Sequence, residues 1–232
     1  MNIENPYYQI TLRNVIGITL FSVLIFVIAG VILVQLDPTI FTPGRALGDR
    51  MLWVTFLATG SVIGATAYVV GVRTPMVWGV VGLIRPDARW ILIGVATAAA
   101  LFFVGERMDA LLGFGIIENT RANYADSMTT PMGVFLLIAV MGFILPIPLE
   151  IYFRGILFNY LGRLLGFEGA VGFSALIYGL TYFNPAIPIY MAYGIIHGAV
   201  LAILYARSGS LWTAIAANGA LASLILAKIA WG

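Results

Sequence analysis

The sequence has no cysteine and a single histidine, His197. The first absence excludes disulfides, thiolate metal sites and cysteine nucleophiles. The second leaves too little imidazole for a histidine-rich metal centre, so no metal and no cofactor is expected. Charge is nearly as scarce. Asp, Glu, Lys and Arg make up 9% of the 232 residues, against about 25% in an ordinary soluble domain. The formal net charge is +2 and the basic residues are scattered, which argues against nucleic acid as a partner. No linker, internal repeat or low-complexity tract divides the chain, so 1–232 reads as one domain.

What is present is apolar. Hydrophobic residues make up 61% of the chain and the mean hydropathy is +1.01. Such a chain is an integral membrane protein with lipids among its partners. The expected fold is all-α, a polytopic transmembrane helical bundle with interfacial amphipathic helices. A helical span needs roughly 20 apolar residues, and the runs supply about seven. They are Asn14–Leu36, Met51–Val72, Trp90–Gly105 (with an extension toward Leu112), Ser127–Leu149, Gly169–Phe183, Ile189–Tyr205 and Leu211–Ala227. The first run is too long for a signal-peptide core and no small-residue cleavage site follows it, so it is expected to remain as a helix.

The segments between are read from their breakers. Pro43-Gly44 and Asn184–Pro188 are expected turns. Gly113–Thr130 is polar and reads as the longest external loop, and Gly155–Gly166 as an amphipathic helix lying at the interface. Gly60-x-x-x-Gly64 is either a close-approach surface for another helix or chance in a glycine-rich run. Placing Arg13, Arg73, Arg85, Arg89, Arg154, Arg163 and Arg207 on one side, against Arg45, Arg50, Arg107, Arg121 and Lys228, puts the N-terminus in the cytoplasm by the positive-inside rule. The expected location is the cytoplasmic (inner) membrane.

Two charges sit inside this apolar background, in Pro146-Ile147-Pro148-Leu149-Glu150-Ile151-Tyr152-Phe153-Arg154-Gly155. An ionisable residue at bilayer depth is costly and by default marks function. Glu150 and Arg154 are four apart, so on a helix they share a face and pair. The spacing alone admits two readings, a structural ion pair or part of an active site.

The context adds specificity. Glu150-x-x-Phe153-Arg154-Gly155 follows a proline-broken helix. Ser174-Ala175-Leu176-Ile177-Tyr178-Gly179-Leu180-Thr181-Tyr182-Phe183-Asn184-Pro185 comes next, then Tyr205-Ala206-Arg207-Ser208-Gly209-Ser210-Leu211-Trp212 and Ala217-Asn218-Gly219-Ala220. This order resembles the CPBP family (CAAX proteases and bacteriocin-processing proteins, the abortive-infection type) over about residues 130–230. Gly82–Trp90 is similar to the family's juxtamembrane segment. The resemblance implies an intramembrane endopeptidase fold. Its motifs run Glu-Glu-x-x-x-Arg, Phe-x-x-x-His and His-x-x-x-Asn or Asp. The first Glu and the two His activate a water, and the last Asn serves the oxyanion hole.

Carried over by position, the catalytic set is missing. The first Glu falls on Leu149, leaving Glu150 and Arg154. The first His falls on Tyr182, the second on Asn218, and the Asn on Ala222. Tyrosine, with an ordinary pKa near 10, is a poor base at neutral pH, and asparagine is not a base. His197 is out of register with both His motifs and fits an interior hydrogen-bonded residue. Tyr178, Tyr182, Phe183, Tyr190 and Tyr193 fit either a cavity for a prenyl, acyl or peptide group or ordinary packing. Three functions follow. The first is a proteolytically inactive member that binds another membrane protein, a peptide or a lipid in the former substrate cavity, as a subunit, chaperone-like partner or regulator. The second is an endopeptidase using Glu150, with Tyr182, Asn218 or His197 in new roles and Arg154, Tyr182 and Asn218 at the motif positions. The third is a proton relay or transporter.

Overall fold

The computed structural model describes residues 10–38, 49–71, 77–183 and 189–232. The expected turns at Pro43-Gly44 and Asn184–Pro188, the N-terminal stretch before residue 10, and Arg45 and Arg73 lie outside these. Every regular element among the described residues is helical. α1 (Leu12–Leu36) opens on a reciprocal cap between Thr11 and Asn14, the asparagine side chain accepting from the Thr11 N–H at 3.0 Å. α2 (Asp49–Gly71) and the single turn α3 (Val77–Val80) follow. α4 (Ala88–Leu112) starts on an Asp87 cap and ends at Gly113 in the left-handed region. α5 covers Ile116–Tyr124 and α6 Pro131–Ile138. α7 is Pro146–Glu150, α8 Asn159–Leu180, α9 Ile189–Ser208 and α10 Leu211–Trp231.

Five helical stretches are long and apolar enough to cross a membrane: α1, α4, the compound stretch 131–180, α9 and α10. α2 adds the shorter apolar run Thr59–Val70. The compound stretch is two legs. It breaks at Gly166 (φ 71°, ψ −175°), a conformation open to glycine and costly for other residues. The second leg packs back on the first, with the Tyr178 and Phe153 rings 4.9 Å apart. With the compound stretch divided and α2 included, the described residues give seven helical legs, but the apolar run of α2 and the leg from Gly166 to Leu180 are shorter than the roughly 20 residues a span needs.

The α4 helix takes the extension to Leu112, where Glu106 pairs with Lys228 of α10 at 3.1 Å. Three boundaries differ from the sequence expectation. The expected loop Gly113–Thr130 holds α5, whose ends carry Glu118 first and Arg121 last, the order that suits a helix dipole. The next leg starts at Pro131, not Ser127. Ser127 is buried in a 3₁₀ turn, and Thr130 caps α6 by accepting from Gly133 N at 3.1 Å. Finally, the segment after Gly155 is not wholly interfacial. Ile156, Leu157 and Phe158 are in the largest core cluster, and only Leu164 and Leu165 of its apolar residues are exposed.

Lipid is as apolar as leucine, so helix association inside a membrane rests on close packing and interhelical hydrogen bonds. The tightest packing is between α8 and α9. A Cβ on Gly179 would overlap Ile195 and lie 2.9 Å from the Met191 carbonyl. One on Gly194 would sit 2.7 Å from the Tyr182 ring, and one on Gly198 3.0 Å from the Tyr178 ring. The close-approach pair is therefore Gly194-x-x-x-Gly198. At Gly60 and Gly64 an added Cβ meets nothing within 4 Å, so that spacing serves no close contact among the described residues. A second anchor joins the α9–α10 turn to the segment before α4. Leu211 N donates to Gly82 O at 2.8 Å, and Ser210 Oγ to Ile84 O at 2.6 Å. Gly82 (φ +87°) leaves room only for the Tyr205 ring, whose hydroxyl accepts from Asn159 Nδ2 at 2.9 Å.

Candidate functional site

Pro146 and Pro148 have no N–H to donate, yet the chain stays helical through them as α7. Wide π turns on either side absorb the strain. Leu145 N reaches back five residues to Val140 O at 2.7 Å, and Ile151–Phe158 forms a second π stretch. Such bulges collect at functional sites. Glu150 closes α7 and Arg154 lies in the following π turns; both are 0% exposed. The sequence expectation sets Arg154 among the loop charges. Its place in the core removes it from the charge bias between the two sides.

The pair is tightly held. Arg154 Nη1 donates to Glu150 Oε1 at 3.2 Å and Nη2 to the Gly198 carbonyl at 2.8 Å. Nε lies 3.2 Å from Oε2, close enough for attraction but misaligned for a hydrogen bond, so Oε2 accepts none. The guanidinium carbon stands 4.6 Å from the Tyr178 ring centroid, a cation–π contact in a desolvated place. α10 supplies the remaining partner. Gly219 passes against the Gly142 carbonyl with no room for a side chain, which brings Asn218 up to the pair. Its Nδ2 donates to Glu150 Oε1 at 2.7 Å and, more weakly, to the Tyr178 hydroxyl at 3.4 Å. The Tyr178 and Tyr182 hydroxyls are 3.3 Å apart. A polar chain thus runs Arg154, Glu150, Asn218, Tyr178, Tyr182 across the π turns, α7, α10 and the end of α8.

His197 lies beside this chain on α9, 3% exposed. Its ring packs against Tyr178, Tyr182 and Tyr193 with centroids 5.5, 6.5 and 6.3 Å away. Neither ring nitrogen has a hydrogen-bond partner. The expected interior location holds; the hydrogen bonds expected with it do not form.

Next to the polar chain is a cavity of about 270 Å³. It lies at the end of the bundle where α8 and α10 finish and α9 begins, with α5 across it. Leu149, Tyr182, Asn218 and Ala222 all line it. By the resemblance, these are the four positions on which the family's first Glu, its two His and its oxyanion Asn would fall. Glu150 is not among the lining residues; it points to Arg154 instead. Of the aromatics expected at a cavity, Tyr182, Tyr190 and Tyr193 are in its wall. Tyr178 is core and Phe183 is mostly exposed. Sequence reading missed Thr120 and Tyr124 of α5, and Met141, Leu145, Pro146, Ile225 and Leu226. One signal was available. Residues 218, 222, 225 and 226 repeat at the spacing of one helix face. Tyr124 lies outside the spanning helices, and burial pushes its phenol up to about 12, with Tyr182 adding to the rise. Among the described residues no group of His, Asp and Glu is arranged to hold a metal ion.

Helices, span lengths and the buried pair define a polytopic α-helical membrane protein with a polar core beside a cavity. Comparison adds a family match: residues 131–224 match the model of the Rce1-like family, described as type II CAAX prenyl endopeptidase Rce1-like. The match is consistent with the CPBP resemblance and takes in the motifs at Glu150–Gly155, Ser174–Pro185, Tyr205–Trp212 and Ala217–Ala220, but not the similar segment Gly82–Trp90. No curated protein and no solved structure matches the chain.

Proposed function

We propose that the protein is a proteolytically inactive member of its family that binds a membrane-embedded ligand in the former substrate cavity and acts as a subunit or regulator of another membrane protein. On this reading the N-terminus faces the cytoplasm and the protein sits in the inner membrane, a placement that the arginine bias between the two sides supports. The observation that carries this reading is the wall of the cavity. The four positions where water activation and oxyanion stabilisation belong are gathered there as Leu149, Tyr182, Asn218 and Ala222. A leucine and an alanine can neither take a proton nor donate a hydrogen bond. A tyrosine and an asparagine donate but do not act as bases near neutral pH. The remaining carboxylate, Glu150, is enclosed and engaged by Arg154 and Asn218. The arrangement suits holding a molecule rather than cutting one.

One observation favours a second reading. Glu150 Oε2 accepts no hydrogen bond, and a water bound there would make Glu150 the base of an active endopeptidase. Co-purification separates the two. Wild-type protein taken up in mild detergent is expected to retain a defined bound species by native mass spectrometry, and Ala222→Phe, which fills the cavity, to lose it. An empty cavity in the wild type would contradict the binding role.

A further inference from the structure

We infer that the cavity beneath α5 selects an uncharged amphiphile, a hydrocarbon chain with a hydroxyl or ester head, over carboxylates and amines of the same chain. This inference rests on the binding role proposed above and specifies its ligand. The cavity has two kinds of wall. Met141, Leu145, Leu149, Ala222, Ile225 and Leu226 are apolar, and Thr120, Tyr124, Tyr182, Tyr190, Tyr193 and Asn218 carry neutral hydrogen-bonding groups. No described lining residue is charged. Along α10 the lining runs from Asn218 to Leu226, eight residue steps, or roughly 12 Å at about 1.5 Å each, a wall long enough to lie beside part of a hydrocarbon chain.

The hydroxyls gather toward the end of the bundle covered by α5. Tyr190 of α9 and Thr120 of α5 both line the cavity there, and Tyr193 sits against Gly105, where an added Cβ would be 3.2 Å from its ring. Hydroxyls both donate and accept, which matches an alcohol or ester. They cannot neutralise a bare charge, and an ion moved from water into such a wall loses more than they return. The cation that would pair a carboxylate, Arg154, is committed to Glu150 and the Gly198 carbonyl. The carboxylate that would pair an ammonium is committed in turn. Beyond the lining, the adjoining recess carries Glu106 and Asp109. Lys228 offsets Glu106, while Asp109 Oδ2 accepts the Ile117 N–H at 3.1 Å at the start of α5. Both carboxylates are thus engaged and stand outside the cavity lining, so they supply no counter-charge for either kind of ionic head.

The test is competitive binding of radiolabelled monooleoylglycerol to the purified full chain in detergent, with unlabelled monooleoylglycerol, oleate and oleylamine as competitors. The expected result is competition by the glyceride at least tenfold stronger than by oleate or oleylamine. Ala222→Phe should abolish binding, and Tyr193→Phe, which keeps the ring and removes one hydroxyl, should weaken the glyceride about fivefold, the size of one neutral hydrogen bond. Oleate or oleylamine binding as tightly as the glyceride, with loss in Ala222→Phe, would overturn the ligand class and leave the cavity's binding role standing. No binding of any of the three to the wild type overturns the inference. Binding unchanged in both variants would place the amphiphile elsewhere and overturn it as well. If Ala222→Phe does not fold, Tyr193→Phe decides alone.

Discussion

Arg154→Met is the perturbation whose outcome depends most on the geometry described. The methionine fills most of the same space but leaves Glu150, 0% exposed, without its counter-charge. Asn218 would still donate to Oε1, and Oε2 would face an apolar surround. Removing one partner of a buried ion pair typically costs about 3–5 kcal/mol. Loss of the bond to the Gly198 carbonyl and of the Tyr178 cation–π contact adds about 1 kcal/mol between them, since interhelical polar contacts in membranes average about 0.6 kcal/mol. The double variant Glu150→Gln with Arg154→Met removes both charges and keeps an acceptor for Asn218. Buried pairs replaced together by neutral residues are often neutral in stability or better. The double variant should therefore recover at least about 2 kcal/mol of the single variant's loss. Reversible SDS-induced unfolding in mixed micelles, followed by circular dichroism, gives all the free energies of the cycle. If Arg154→Met alone costs less than about 1 kcal/mol, or the double variant is no more stable than the single, the pair is not the mutual clamp described.

Other outcomes follow from the same structure. Gly155→Ala would put a Cβ 2.8 Å from the Val81 carbonyl and 2.9 Å from the Val81 Cβ. It should cost about 1–3 kcal/mol in the same unfolding measurement, as overpacking does. Gly179→Ala meets Ile195 and two backbone atoms of α9 and should cost more, whereas Gly64→Ala, with open space around it, should stay within about 0.5 kcal/mol of wild type. Asn159→Ala removes bonds to Tyr205 and to the Gly155 carbonyl and should lower stability by about 1–2 kcal/mol. Tyr124 titrates higher when folded, at about 12. Its neutral form is thus favoured by folding, and its contribution is intact below pH 10 and lost as pH rises from 10 toward 12. The stability difference between wild type and Tyr124→Phe should be constant from pH 7 to 9 and turn against wild type above pH 10.

The helical class and most spans were readable in the sequence, because an uninterrupted apolar run in lipid has no other way to satisfy its backbone. The Glu150–Arg154 pairing was readable for a related reason. Two opposite charges four residues apart in such a run have each other as nearest partners. The helical path through Pro146 and Pro148 was not, since it depends on π turns formed by packing against α10, where Gly142 and Gly219 touch. Local spacing says nothing of that contact. α5 was hidden by its polarity. A nine-residue helix with few apolar groups shows little periodicity, and only the placement of Glu118 and Arg121 signals it. The glycine spacing left the question open at Gly60/Gly64, because that pair and Gly194/Gly198 read alike in one dimension, while only the second pair is closely packed against a facing helix. The cavity wall was half legible. Motif positions pointed to Leu149, Tyr182, Asn218 and Ala222, but the contribution of α5 required the fold.

The central claim is that this site holds and does not cut. The most direct measurement is mass spectrometry of products after incubating the reconstituted protein with a prenylated peptide ending in a CAAX sequence, beside the Glu150→Gln variant. The account predicts no cleavage by wild type above the level of the variant. Cleavage by wild type that disappears in a folded Glu150→Gln protein would contradict it.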